Sequence, residues 1–172
     1  KYLHLLLKWN KIYNLTAITD PQEIRIKHFE DSLACLPFLP KPCRLLDIGT
    51  GAGFPGIPLK IENPNLEVVL LDSQRRKIAF CEAVIRELKL KEITAIQGRA
   101  EKKETREKLG PFDAVVSRAT FSIGDFLTAS AIFSSTLKLS ITEPPKIARK
   151  SPVSILSTAS SSFSLTPAPQ AF

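Results

Sequence analysis

Methionine is absent from this 172-residue chain, position 1 included, so the chain is expected to lack its natural beginning. Cysteine is scarce. Cys35, Cys43 and Cys81 are odd in number and form no C-x-x-C pair, which argues against a disulfide framework and against a zinc site; no metal is expected. They read as reduced, partly buried small hydrophobes. No apolar run approaches the roughly 20 residues needed to cross a bilayer, and the residues after Lys1 lack the apolar core of a signal peptide. The expectation is a cytoplasmic protein that meets no membrane, and a monomer.

What is present suits one folded domain. A chain of this length, 44% hydrophobic, can bury a single core. The net charge of +7 and pI near 9.5 favour an anionic partner such as nucleic acid. That charge is split, with +3 in residues 134–172 and +4 before them.

The stretch Leu45 to Pro58 organises the rest. Leu45, Leu46 and Ile48 around Asp47 predict a short buried strand, and the glycines that follow let backbone approach a ligand at the head of the next helix. Gly51, Gly53 and Gly56 satisfy G-x-G-x-x-G, so a dinucleotide competes with S-adenosylmethionine as the ligand. Asp47 favours the latter: its carboxylate would repel a pyrophosphate, whereas the ammonium and sulfonium of S-adenosylmethionine are cations. Leu66 to Leu71 is a second apolar run, ending at Asp72, nineteen residues after Gly53. Asp72 is placed to accept from two ribose hydroxyls; its alternative role is a cap for the helix starting near Arg75.

Elsewhere, Leu3, Leu6 and Leu7 predict a helix within Tyr2 to Trp9, and periodicity leaves Asn10 to Thr16 unassigned. Asp20-Pro21-Gln22-Glu23 is a helix start with an acidic N-cap, and that helix should end before Pro37. Within it Arg25, His28 and Asp31 are expected to share an exposed face, either a solvated charge-paired surface or an RNA contact. A short helix opening at Pro55 or Gly56, an amphipathic helix Arg75 to Leu88, and strands Ile93 to Gln97 and Phe112 to Ser117 complete an alternating pattern. The fold class is α/β, a Rossmann-like parallel sheet with flanking helices, incomplete at the C-terminus. Ligands of such sheets sit beyond the carboxyl ends of the strands, where Asp47 to Phe54, Asp72, Ala100 to Glu101 and Ser117 to Arg118 should converge. From Ser134 to Phe172 ten of 39 residues are Ser, four Thr and five Pro, with no Gly. The organisation read from this is a helical segment over 1–36, a core over 37–133 and a disordered or aberrant tail over 134–172, which leaves the fourth strand's edge without a partner.

Taken together these residues resemble the bacterial RsmG (GidB) family, enzymes that methylate guanine N7 in small-subunit (16S) ribosomal RNA with S-adenosylmethionine. The resemblance rests on Trp9 to Thr16, His28-Phe29-Glu30-Asp31-Ser32, Asp47 to Gly56, Gly98-Arg99-Ala100-Glu101 and Ser117-Arg118-Ala119. It implies that Gly49 and Phe54 contact the cofactor, with Asp47, Gly51, Gly53 and Asp72 around them. It further implies that Ala100 and Glu101 flank the adenine and that Arg118 lies at the reacting end. Lys8, Asn14, Arg25 and His28 are expected to face the ribosomal RNA.

The chemistry is consistent with so few histidines, His4 and His28 alone. Guanine N7 already offers a lone pair, so methyl transfer needs alignment and no general base. Arg118 would donate to guanine O6 or to a phosphate, its alternative being a salt bridge at the strand end. The fourth strand ends Ser117-Arg118-Ala119 where an exocyclic-amine methyltransferase would carry Asp/Asn-Pro-Pro-aromatic, and no Pro-Cys pair supplies a nucleophile for cytosine C5. The competing readings are an NAD-dependent oxidoreductase using the same loop and a noncatalytic cofactor- or RNA-binding fragment.

Overall fold

Continuous apolar runs in a parallel sheet must satisfy two faces at once, and the strands here do so residue by residue. The computed structural model describes residues 1–118, Ala131, Phe133 and the backbone of β5 (Lys138–Thr142) and β6 (Ser154–Thr158), and its sheet has the order β3-β2-β1-β4-β6-β5. Strands β1 (Arg44–Ile48), β2 (Glu67–Asp72), β3 (Ile93–Gln97) and β4 (Ala114–Arg118) are mutually parallel. Leu45, Val68, Leu70, Ala114 and Val116 enter a core on one face; Leu46, Val69, Leu71 and Val115 enter another on the opposite face. The side-chain period of two therefore turns one apolar run into two half-cores.

The first face is covered by α4 (Gly56–Glu62), α5 (Arg75–Leu88) and the N-terminal helices. Helix α1 (Tyr2–Tyr13) runs four residues beyond Trp9. Its polar Asn10 is buried and clamps the following loop, donating from Nδ2 to Thr16 O at 3.0 Å and accepting from Thr16 N–H at 2.9 Å. Asn10 interrupts the apolar stripe because it satisfies loop backbone that leucine would leave unpaired. Next comes a helical run over residues 21–33, whose Asp20 cap accepts from Glu23 N–H at 2.8 Å as expected. It consists of α2 (Pro21–Ile24), a π-helical Arg25–Glu30 and α3 (Asp31–Leu33).

The opposite face receives α6 (Lys103–Leu109), a helix not foreseen between the third and fourth strands; only Leu109 of its residues is buried, so its sequence carries almost no apolar stripe. All three cysteines are free and buried, where partial burial was expected.

The edge of β4 is not left open. Strand β6 (Ser154–Thr158) pairs antiparallel with it, and β5 (Lys138–Thr142) pairs antiparallel with β6. Backbone pairing needs no apolar side chain, which is how a Ser-rich stretch can cover an edge. The rest of the tail expected over 134–172 lies outside the described residues.

Candidate functional site

At the carboxyl ends of β1 to β3 the chain closes a cavity of about 230 Å³. The loop after β1 forms one wall. Gly49 and Thr50 donate their N–H groups to Leu71 O at 2.7 and 3.1 Å, which ties the loop across to β2. Gly51 and Gly53 have φ of +61° and +87°, a region that side-chain-bearing residues rarely occupy, and a Cβ on Gly53 would fall 2.4 Å from Ile57 Cδ1. Conformation therefore favours glycine at both positions, and at Gly53 the side chains of Ile57 and Tyr2 also crowd the place of a Cβ.

The two carboxylates predicted for the site both hold this loop. Asp47 is fully buried; its Oδ2 accepts from Thr50 Oγ1 at 2.7 Å and from Gly56 N–H at 2.9 Å, fastening the loop to the head of α4. Its Oδ1 is buried and has no hydrogen-bond partner. Burial pushes the Asp47 carboxyl up to about 6, although the bonds from Thr50 and Gly56 and the charge of Arg118 oppose the rise, and the charge of Asp72 adds to it. Asp72 lines the cavity; Oδ2 accepts from Gly51 N–H at 3.0 Å and Oδ1 from Gln74 N–H at 2.9 Å, with Lys77 Nζ 3.8 Å from Oδ2. The ribose and helix-start roles thus concern one carboxylate that already supports the backbone on both sides of it.

Gly49, Asp72, Ala100 and Glu101 converge on this cavity. Gln74, Lys77 and Arg99 join them. Gln74 and Lys77 were not singled out from sequence, although they stand two and five places beyond Asp72, where the first turn of α5 folds back toward the strand end. Asp47, Gly51 and Gly53 form the loop behind the lining.

Phe54 points elsewhere. Its ring is buried and stacks on Tyr2 at 5.2 Å and on His28 at 4.9 Å, meets Phe29 edge-on at 5.2 Å, and lies 5.2 Å from the Arg118 guanidinium carbon. Tyr2, whose hydroxyl donates to Ala52 O, ties the same cluster to the glycine loop; burial raises its pKa. The aromatic side of the loop therefore seats the N-terminal helices, and Phe54 is not among the residues that line the cavity. Tyr2, the first residue of α1, was not singled out from sequence, and its burial follows from packing one turn before the buried Leu6.

His28 departs from the exposed face expected of it. Only 8% exposed, it stacks on Phe54, and its Nε2 shares a 2.8 Å hydrogen bond with Thr16 Oγ1. Burial first and the Arg118 charge second push its pKa down to about 4, so the ring is neutral at neutral pH. Lys8, Asn14 and Arg25 are exposed on the N-terminal helical segment, and His28 does not join them at the surface. Arg118, at the end of β4, reaches this segment: Nη1 donates to Lys27 O at 3.0 Å and lies 3.4 Å from Asp31 Oδ2. The salt-bridge alternative for Arg118 is thus present, with a partner 87 residues away in sequence.

These residues fit S-adenosylmethionine better than a dinucleotide. A buried Asp47 oxygen without a donor and a second carboxylate at Asp72 make this strand end suited to a cation and unsuited to a pyrophosphate. Among the described residues no helix is long and apolar enough to cross a membrane, and no cluster of His, Cys, Asp and Glu has metal-binding geometry.

Comparison with known proteins bears on the same residues. The family model for GidB, rRNA small subunit methyltransferase G, matches residues 1–136. A ribosomal RNA small subunit methyltransferase G from Desulforamulus reducens is 54% identical over 125 residues, covering 69% of this chain and 51% of that protein. One from Acinetobacter baylyi is 48% identical over 130 residues, covering 76% and 61%. The chain thus spans between about half and three fifths of the length of these relatives. Among solved structures, a SAM-dependent methyltransferase from Aquifex aeolicus aligns with a TM-score of 0.54 at 17% identity, covering 88% of this chain and 97% of that one. A precorrin-6y C5,15-methyltransferase from Geobacter metallireducens aligns with a TM-score of 0.50 at 15% identity, covering 84% and 90%. At these identities the structures speak to the fold alone.

Proposed function

Since the chain belongs to the GidB family of small-subunit rRNA methyltransferases, we propose that the protein transfers a methyl group from S-adenosylmethionine to N7 of a guanine in small-subunit ribosomal RNA. The observation that carries this reading is the meeting of Gly49, Asp72, Ala100 and Glu101 at one cavity, beside a loop that holds a buried carboxylate. When bound, S-adenosylmethionine supplies an electrophilic methyl group on a sulfonium.

The chain's own residues bind and orient. Asp72 holds the ribose hydroxyls, and Ala100 and Glu101 border the adenine. Gly49 leaves room for ligand against backbone, and Asp47 stabilises positive charge from beneath the loop. Arg118 orients the base through O6 or a neighbouring phosphate, leaving the N7 lone pair to attack without prior loss of a proton. His28, neutral and enclosed, is a strut between the loop and the helical segment; Lys8, Asn14 and Arg25 remain the RNA-facing candidates.

Label transferred from methyl-labelled S-adenosylmethionine to small-subunit RNA, followed by nuclease digestion, tests this. Label in N7-methylguanosine is expected; label confined to another nucleoside overturns the N7 assignment. Calorimetry with S-adenosylmethionine and NAD supplies an independent readout, and tight NAD binding without S-adenosylmethionine binding overturns the cofactor.

A further inference from the structure

The helical run over residues 21–33 contains a break in its own hydrogen bonding at the point where Arg118 touches it. In an α-helix Lys27 O would accept from Asp31 N–H, four residues on. Here the chain is π-helical over Arg25–Glu30, and Asp31 N–H is directed at Ile26 O and His28 O. Lys27 O instead accepts from Arg118 Nη1 at 3.0 Å. The next turn brings Asp31 Oδ2 to 3.4 Å from the same nitrogen, and the Arg118 guanidinium carbon lies 5.2 Å from the centre of the Phe54 ring. The Arg118 and Asp31 side chains are 8% and 20% exposed, so this pair is screened far less than a surface pair. A widened turn costs helix geometry, and single π-turns occur frequently at functional sites.

We propose that Asp31, together with the Lys27 carbonyl that the π-turn releases from Asp31 N–H, is a positioning device that sets the orientation of the Arg118 guanidinium for methyl transfer. The inference rests on the reading of Arg118 as the group that orients the base. A carbonyl and a carboxylate converging on Nη1, with an aromatic ring under the guanidinium carbon, restrict the plane of a side chain that has several rotatable bonds. The N-terminal helical segment thereby acts on the reacting end from outside the cofactor cavity.

The test is a cycle of Asp31→Ala, Arg118→Ala and the double variant in the full chain, with Asp31→Asn as the conservative control. Single-turnover methyl transfer to small-subunit RNA is measured at saturating S-adenosylmethionine, beside cofactor affinity by calorimetry and the urea unfolding midpoint. Asp31→Ala is expected to slow transfer about ten-fold with cofactor affinity within about two-fold of the parent, and the double variant to be no slower than Arg118→Ala. Asp31→Asn, which keeps an acceptor oxygen, should recover part of the rate. A slow Arg118→Ala beside an unimpaired Asp31→Ala would overturn the positioning role alone, as would a double variant slowed by the product of the two single effects. Parallel loss of rate, affinity and unfolding midpoint in both Asp31 variants would make Asp31 merely structural and also overturn it. An unimpaired Arg118→Ala would overturn the role of Arg118 and this inference with it.

Discussion

Replacing Asp47 by Asn should make the ligand-free protein less sensitive to rising pH than the parent, while weakening its cofactor. The amide is nearly isosteric with the carboxyl, so its oxygen can take over the two bonds that Oδ2 accepts from Thr50 Oγ1 and Gly56 N–H. Its NH2 then occupies the place of Oδ1, the oxygen that has no partner. Burial raises the Asp47 carboxyl from 3.8 to about 6. The folded state therefore holds the proton more tightly than the unfolded state does. The stabilising protonated form is fully present below about 4, and its contribution is lost as pH rises through about 6. A rise of about two units corresponds to roughly 3 kcal/mol of ionisation cost carried by the folded protein at pH 7. Asparagine carries no such cost. The stability difference between Asp47→Asn and the parent should grow in favour of the variant between about pH 4 and 7, by up to about 3 kcal/mol. Urea unfolding of both proteins across that range measures it, and the other titrating groups cancel in the difference. A difference that stays constant with pH would refute the reasoning. Calorimetry should show weaker S-adenosylmethionine binding to the variant.

Three further outcomes follow from the geometry. Asp72→Ala should weaken S-adenosylmethionine by about 1.5 to 3 kcal/mol, the range for hydrogen bonds to a charged group; unchanged affinity in calorimetry would remove Asp72 from the site. Phe54→Ala should cost about 3 to 5 kcal/mol in urea unfolding, because it empties an aromatic cluster. Its cofactor affinity should change little, whereas a large affinity loss at unchanged stability would place the ring against the cofactor. In hydrogen exchange, the β6 amides of Ser154–Thr158 should be protected by pairing with β4, and free exchange there would refute that pairing.

Much of the candidate site's geometry was legible in the sequence because its parts are local. A strand run ending in Asp47, glycines at Gly51 and Gly53, and an apolar run ending in Asp72 each follow from a few adjacent residues. Parallel pairing then brings strand ends together without further information: β1 to β3 start in register, so Gly49, Asp72 and Ala100 must meet at one end. Helix α5 was equally plain, its apolar positions recurring at the helical period.

Tertiary structure alone decided what depends on partners distant in the chain. Arg118 finds Asp31 across 87 residues, and no periodicity encodes that contact. His28 carries a polar label but is enclosed by Phe54 and Thr16, because its stacking surface and one hydrogen bond compensate burial of a neutral ring. Phe54, one residue after a glycine with φ of +87°, packs against Tyr2 of the N-terminal helices and does not line the cavity. Helix α6 escaped notice because a charged helix with one buried residue has no stripe to read, and the β4–β6 pairing because backbone hydrogen bonds are blind to side-chain pattern. By itself the sequence determined the glycine loop and the parallel character of the first four strands, where the causes are short-range propensity and burial. The orientation of the side chains around that loop came only with the fold, since each is set by which distant donor, acceptor or ring is packed against it.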